Sequence, residues 1–252
     1  MQSVRLFGLP LTATTRSDAI VEAVRDAWDT NRPLSITFVN PLAWTLARRD
    51  EAYVGLLDRM DMVLPDGIGV VAVARRLLRQ PLERFSFDAS SLYHPVMAEL
   101  ADGKHGLFVI GAAPGVAERA CGRIRARYPE IRIVGCLDGF TGAEEALQRV
   151  REAPADMVLC GMGAPHQEKL LLALREAGFR GVAFTCGGFL DQLAQSETYY
   201  PAWIDHLELR WLWRIVKEPR RLFRRYALDY QPFVRLSLAA LLTGRSRHGE
   251  PA

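Results

Sequence analysis

Six short apolar runs alternate along this chain with stretches of helical periodicity. They are Ser35–Val39 (SITFV), Met62–Pro65 (MVLP), Gly106–Gly111 (GLFVIG), 131–140 (IRIVGCLDGF), 156–163 (DMVLCGMG) and Gly181–Gly188 (GVAFTCGG). Strands this apolar have no face to give to water, so both faces must be covered. The intervening segments supply the cover: 40–60, with Asn40 placed to cap and Pro41 in the first turn, then 68–78, 116–128, 144–153 and 165–177. Right-handed strand-helix-strand units of this kind build an α/β fold, here a Rossmann-like, mostly parallel sheet with helices on both faces.

The chain has 252 residues, 49% hydrophobic and 24% charged, enough for a full core. Cys121, Cys136, Cys160 and Cys186 are widely spaced, without a C-x-x-C pair or a histidine at zinc-ligand spacing; neither a disulfide framework nor a structural metal is expected. The N-terminus lacks a basic region followed by a long apolar one, and no run is long enough to span a bilayer. A cytoplasmic protein is the expectation. The net charge of +3 hides an asymmetry: residues 1–209 carry 22 basic against 26 acidic side chains, and residues 210–247 carry 10 against 2. The C-terminal segment is thus expected to meet something anionic: a membrane surface, a phosphate-bearing ligand or nucleic acid.

Three strands end in glycine turns, around Gly111, around Gly161 and Gly163, and at Gly187 and Gly188. Ligands of doubly wound sheets bind outside the carboxyl ends of the strands, where glycine lets backbone N–H groups approach a phosphate. Three such turns favour a nucleotide or another phosphate ligand. No Gly-Lys-Ser/Thr follows any of them, and none is a G-x-G-x-x-G at the first strand, so neither a P-loop nor a dinucleotide oxidoreductase is expected. Asp66 stands at the same edge, between Pro65 and Gly67. It reads either as a helix cap or as a general base, ionised at neutral pH and able to take a proton from an attacking hydroxyl, with Gly67 and Gly69 leaving room for substrate. The segment 164–169 (APHQEK) reads as a helix start in which Glu168 complements the macrodipole, or as a ligand site using the Gln167 amide. Arg214, Lys217, Arg221 and Arg224 recur at helical steps beside Trp211, Ile215, Leu222 and Phe223, a mixture suited to the surface of an anionic bilayer.

The runs LPDGIGVV, ERF with Asp88, LFVIGAAPGVAERA, YPEIRIVGCLDGF, GMGAPHQEK, CGGFLD and LELRWLWRIVKEPRRLFRRY occur in that order. In this the sequence resembles the WecG/TagA/CpsF glycosyltransferases over roughly residues 35 to 230. The resemblance implies an inverting transferase that moves a sugar from a UDP-sugar to a saccharide on a polyprenyl diphosphate, peripherally at the inner membrane face. It implies Asp66 as catalytic base, with Arg84 and Gln167 in the same pocket. Substrate-binding roles are expected for Asn40, Gly67, Asp88, Gly111, Asp138, Gly139, Gly161, Gly163, Gly187, Gly188 and Asp191, and for Arg214, Arg221 and Arg224 of the appendage. Residues 1–208 would be the catalytic domain and 209–252 a basic helical appendage that docks on the membrane and reaches an active site.

No D-x-D occurs in the chain, so no metal or other cofactor is expected, and nucleic acid is not an expected partner. Self-association is compatible with this reading. Phe38 where many members have Thr, Phe87 where Gly is common, and the run AQSETYYPAW depart from the family pattern near the expected sugar pockets. They point toward an exopolysaccharide branch with glucose as donor. A different class, a non-catalytic nucleotide-binding module with a membrane-docking tail, would carry the same glycine turns.

Overall fold

The computed structural model describes residues 1–196 and 228–243, together with Ile204 and Trp213. The six apolar runs form strands β3 (Leu34–Val39), β4 (Met62–Pro65), β5 (Gly106–Gly111), β6 (Arg132–Leu137), β7 (Met157–Gly161) and β8 (Val182–Thr185). They make one sheet in the order β4-β3-β8-β7-β5-β6, with every pairing parallel. The expected Rossmann-like α/β architecture is therefore present.

Side-chain alternation divides the core in two. On β7, Met157 and Leu159 join a cluster on one face, and Val158 and Cys160 join the cluster on the other. Helices α1 (Ser17–Asp29), α5 (Tyr93–Leu100), α6 (Val116–Arg127) and α9 (Phe189–Gln195) contribute to the first cluster. Helices α2 (Leu42–Arg49), α3 (Ala52–Asp58), α4 (Ile68–Leu78), α7 (Ala143–Glu152) and α8 (His166–Glu176) contribute to the second. The helices that follow β5 and β7, which are neighbours in the sheet, thus leave on opposite faces. That is the arrangement that opens a crevice at the carboxyl ends of strands.

Three features depart from the sequence reading. A hairpin of β1 (Gln2–Leu6) and β2 (Leu9–Ala13) precedes the alternation. Its two-residue loop, Phe7-Gly8, has positive φ at both positions, 48° and 87°, as the twist of a tight hairpin requires. Phe-Gly is a weak signal for such a turn, and this hid the hairpin. The Thr12 hydroxyl accepts the Val63 N–H at 3.0 Å, so the hairpin shields the edge strand β4. Second, the helix expected over 40–60 is two helices. The chain is extended at Asp50, whose carboxylate accepts the Ala52 N–H at 3.0 Å and restarts the helix, the local side-chain bonding that makes Asp a poor helix-interior residue. Third, helix α10 (Gln231–Thr243) packs on the body. Phe233 lies 4.6 Å from Trp44, ring to ring, and Arg49 pairs with Asp229 at 3.3 Å.

The rim depends on close backbone packing. A Cβ at Gly111 would lie 2.6 Å from the carbonyl carbon of Gly161, and Gly111 has φ of +144°. Gly111→Ala is expected to lower stability by about 1–3 kcal/mol in urea unfolding. An unchanged midpoint would contradict this packing.

Candidate active site at the carboxyl rim

Asp66 directly follows β4, and its N–H bonds to the Val39 carbonyl at 2.8 Å, so the ends of β3 and β4 hold it at the rim. Gly67, not Asp66, occupies the cap position of α4, and no side-chain cap bond forms there. The carboxylate instead meets Arg84, with Nη1 3.3 Å from Oδ1. Arg84 arrives because the segment after α4 passes the end of β4, the Phe85 N–H bonding to the Pro65 carbonyl at 3.0 Å. Phe85 and Phe87 of R-F-S-F-D face the first core cluster, which sends Arg84, Ser86 and Asp88 to the other side. Phe87, expected near a sugar pocket, packs instead against Phe184 at 5.0 Å and is 2% exposed; it is a core residue.

The guanidinium is fixed on several sides. Ser86 Oγ accepts at 3.0 Å and Ser90 Oγ at 3.1 Å, and Asp88 lies 3.6 Å away. Asp88 is held in turn by the Ser86 hydroxyl at 2.7 Å and the Ser90 N–H at 2.9 Å. Burial pulls the Arg84 guanidinium down, but the charge of Asp66, then that of Asp88, outweighs it and lifts the group above its ordinary value. Ser86 and Ser90 were missed in the sequence; the alternation of R-F-S-F-D was the available signal.

The glycine turns divide into two kinds. Gly111, Gly139 and Gly161 pack turn against turn: Ala112 N–H bonds to the Gly161 carbonyl at 3.1 Å and Gly139 N–H to the Ala112 carbonyl at 2.8 Å. These groups hold the rim together. Among the described residues nothing lies within 4 Å of a Cβ at Gly163 or Gly187, and one at Gly67 would meet only Pro41, at 4.0 Å. Asn40 Oδ1 accepts the Leu42 N–H at 3.0 Å, the capping expected of it. Asp138 Oδ1 accepts the Phe140 N–H at 2.8 Å, on a loop where Phe140 is 80% exposed. Gly188 leads into α9, and Asp191 lies half-buried in the first turn of that helix.

Gln167 is buried behind this rim. Its Oε1 accepts the Gly187 N–H at 3.2 Å, and its Nε2 donates to Glu168 at 3.0 Å. Glu168 stands in the first turn of α8, as the sequence reading has it, but there it is fully buried, and it accepts from the Thr37 hydroxyl at 2.8 Å. Burial drives its carboxyl above the usual range, against the hydrogen bonds from Gln167 and Thr37. His166 beside it is exposed. The structure thus joins two groups of expected site residues directly, Asp66 with Arg84 and Asp88, and Gln167 with the Gly187 turn.

A half-buried carboxylate beside a fixed cation, on an edge built from strand-end turns, suits proton abstraction next to an anionic substrate. Residues 4–247 match the family described as "Glycosyl transferase WecG/TagA/CpsF family". The chain belongs to that family. Among its relatives is a Shigella boydii protein, 29% identical over 79% of this chain and 83% of its own, named UDP-Gal:alpha-D-GlcNAc-diphosphoundecaprenol beta-1,4-galactosyltransferase. A Bacillus subtilis (strain 168) protein is 27% identical over 88% of this chain and 86% of its own. Its name is N-acetylglucosaminyldiphosphoundecaprenol N-acetyl-beta-D-mannosaminyltransferase. A Staphylococcus aureus (strain MW2) protein with that same name is 26% identical over 76% of this chain and 75% of its own.

For this WecG/TagA/CpsF family chain, Arg214, Arg221 and Arg224 lie outside the described residues, as does most of AQSETYYPAW. Of the C-terminal segment, α10 turns Phe233, Ser237 and Ala240 inward and leaves Val234, Leu238, Leu241 and Leu242 exposed. No described helix is long and apolar enough to cross a membrane. Among the described residues, no group of three or more His, Cys, Asp and Glu side chains is placed to hold a metal ion.

If the Arg84 fork matters, a lysine cannot replace it, since one ammonium cannot reach Asp66, Ser86 and Ser90 together. Arg84→Lys is expected to lower kcat/KM for sugar transfer about tenfold or more while the melting temperature stays near wild type. Wild-type kinetics in this variant would remove Arg84 from the site.

Proposed function

We propose that this protein is an inverting glycosyltransferase. It moves a hexose or N-acetylhexosamine-type sugar, glucose included, from a UDP-sugar to a saccharide carried on a polyprenyl diphosphate. The observation that carries this reading is the Asp66 carboxylate, one-third exposed at the sheet rim and 3.3 Å from the Arg84 guanidinium. The names of the relatives support the acceptor class, and the Shigella boydii relative supports a UDP-linked donor.

In this reading Asp66 takes the proton of an acceptor hydroxyl as that oxygen bonds to the anomeric carbon. The bond from that carbon to the diphosphate breaks on the opposite side, its electron pair leaving with UDP, so the centre inverts. Arg84 orients the carboxylate and lends positive charge to the site. The chain has no D-x-D to hold a metal on the donor, and the growing charge on UDP falls instead to backbone N–H groups of the open turns and to Arg214, Arg221 and Arg224. The protein works at the cytoplasmic face of the membrane, where the apolar stripe of α10 and the basic segment before it meet anionic lipid.

Asp66→Asn keeps the shape of the side chain and removes its basicity. Turnover with a UDP-sugar and a short-chain polyprenyl-diphosphate saccharide is expected to fall about 10²–10⁴-fold with UDP binding little changed. Full turnover by this variant would overturn the assignment of the base. Transfer is expected to persist in EDTA; activity lost in EDTA and restored by Mn²⁺ would contradict the metal-independent route.

A further inference from the structure

Behind the rim lies a polar chain that the proposed reaction does not use. It crosses the sheet from β3 to the turn after β8. The Thr37 hydroxyl donates to Glu168 Oε1 at 2.8 Å and lies 2.9 Å from the Thr185 hydroxyl. Gln167 Nε2 donates to the same Glu168 oxygen at 3.0 Å, and Gln167 Oε1 accepts the Gly187 N–H at 3.2 Å. Thr37, Thr185 and Glu168 are at most 1% exposed. Their apolar surroundings would be better filled by valine and leucine if packing were the only requirement.

We propose that Glu168 is a positioning residue for the donor site: its Oε1 holds the Gln167 amide in the orientation that pins the Gly187 turn, and ties α8 and that turn to β3. The consequence is geometric. No described residue lies within 4 Å of a Cβ at Gly187 on the rim, and the direction of its turn sets where its backbone meets a ligand. Without the bond to Glu168, the Gln167 amide is free to rotate away from Gly187. This inference rests on the transferase reading for the identity of the ligand, a nucleoside diphosphate.

The same geometry says in which form Glu168 works. Oε1 has two donors, but Oε2 is buried with no hydrogen-bond partner among the described residues. A bare carboxylate oxygen in that place would carry a large desolvation cost, and a carboxyl O–H carries far less. Among the described residues little offsets the charge: Tyr53 on α3 and Cys160 on β7 are the titratable groups facing it across the core, Thr37 and Thr185 face it from β3 and β8, and the one opposing charge, His166 of its own helix, is exposed and acts less than the burial or the hydrogen bonds. Burial lifts the Tyr53 hydroxyl above its ordinary range and the Cys160 thiol to about 12, so both are neutral alongside. Glu168 therefore serves as a neutral carboxyl, and glutamine should replace it with little loss. The linkage has a sign. Because the folded protein holds this proton more tightly than the unfolded chain, stability falls as pH rises from the ordinary carboxylate range to the raised value.

The experiment compares wild type with Glu168→Gln, Glu168→Leu and Thr37→Val in the full-length protein, with UDP as the probe. In the infrared spectrum at neutral pH, wild type is expected to show the carbonyl stretch of a protonated carboxyl, and Glu168→Gln to lose it. Glu168→Gln is expected to bind UDP like wild type and to lose the decline of melting temperature with pH. Glu168→Leu is expected to bind UDP about tenfold more weakly. Thr37→Val, which keeps the shape of the side chain and removes one donor, is expected to weaken binding in the same direction and guards against a Leu variant that fails to fold. A Gln variant as weak as the Leu variant, an infrared band that survives the substitution, or UDP binding unchanged in both Glu168→Leu and Thr37→Val would each overturn the proposal. Wild-type protein that binds UDP but transfers no sugar would sink the transferase reading and leave the positioning role of Glu168 to be decided by the same binding and infrared data.

Discussion

Because all six strands of the sheet run in one direction, every turn that leaves a strand emerges on the same edge, and most of the residues expected to form the site collect there. Asp66, Asn40, the Gly187 turn, the Gly161–Gly163 turn, Gly111 and the Asp138–Gly139 loop follow β4, β3, β8, β7, β5 and β6, in the order in which those strands lie in the sheet. Thr37 and Thr185, 148 positions apart in the chain, become neighbours without any special device. The helices that follow β8, β7 and β5 leave on opposite faces in turn, and the edge opens there into a crevice instead of closing over.

Rigidity at this edge comes from backbone as much as from side chains. Gly111 and Gly161 bring successive turns so close that a methyl group would collide with the next main chain, and at Gly139 it would crowd Ala112 at 3.1 Å. On β4 the same work is done by charge and hydrogen bonds, with Arg84 gathered by Asp66, Ser86, Ser90 and Asp88. An acid held this way has its orientation already set, so a base in this position would lose less freedom when substrate arrives. Between the two halves, the buried Thr37–Glu168–Gln167 chain links β3 to the turn after β8.

Much of this was legible in the residues, for identifiable reasons. Buried parallel strands leave continuous apolar runs, so all six were readable, as were Asp66 and the glycines at their ends. What escaped depended on tertiary contact. The β1–β2 hairpin turns on Phe7-Gly8, whose side chains give little local signal. Asp50 breaks a helix through one side-chain bond. Glu168 reads from the sequence as a macrodipole partner in a first helical turn, and only the folded neighbours Thr37 and Gln167 show that it is interior. Phe87 reads as a pocket residue, but its place in R-F-S-F-D turns it into the core beside Phe184.

The central claim is that the nucleotide sits on the carboxyl edge of the sheet, within reach of Asp66. Backbone hydrogen exchange with and without UDP tests it most directly, because it reports each turn separately and requires no turnover. The account predicts slower exchange in the turns after β4, β7 and β8 and no change at the opposite edge, around residues 30–34, 102–106 and 154–156. Protection confined to that opposite edge, with the Asp66 and Gly187 turns unaffected, would contradict it.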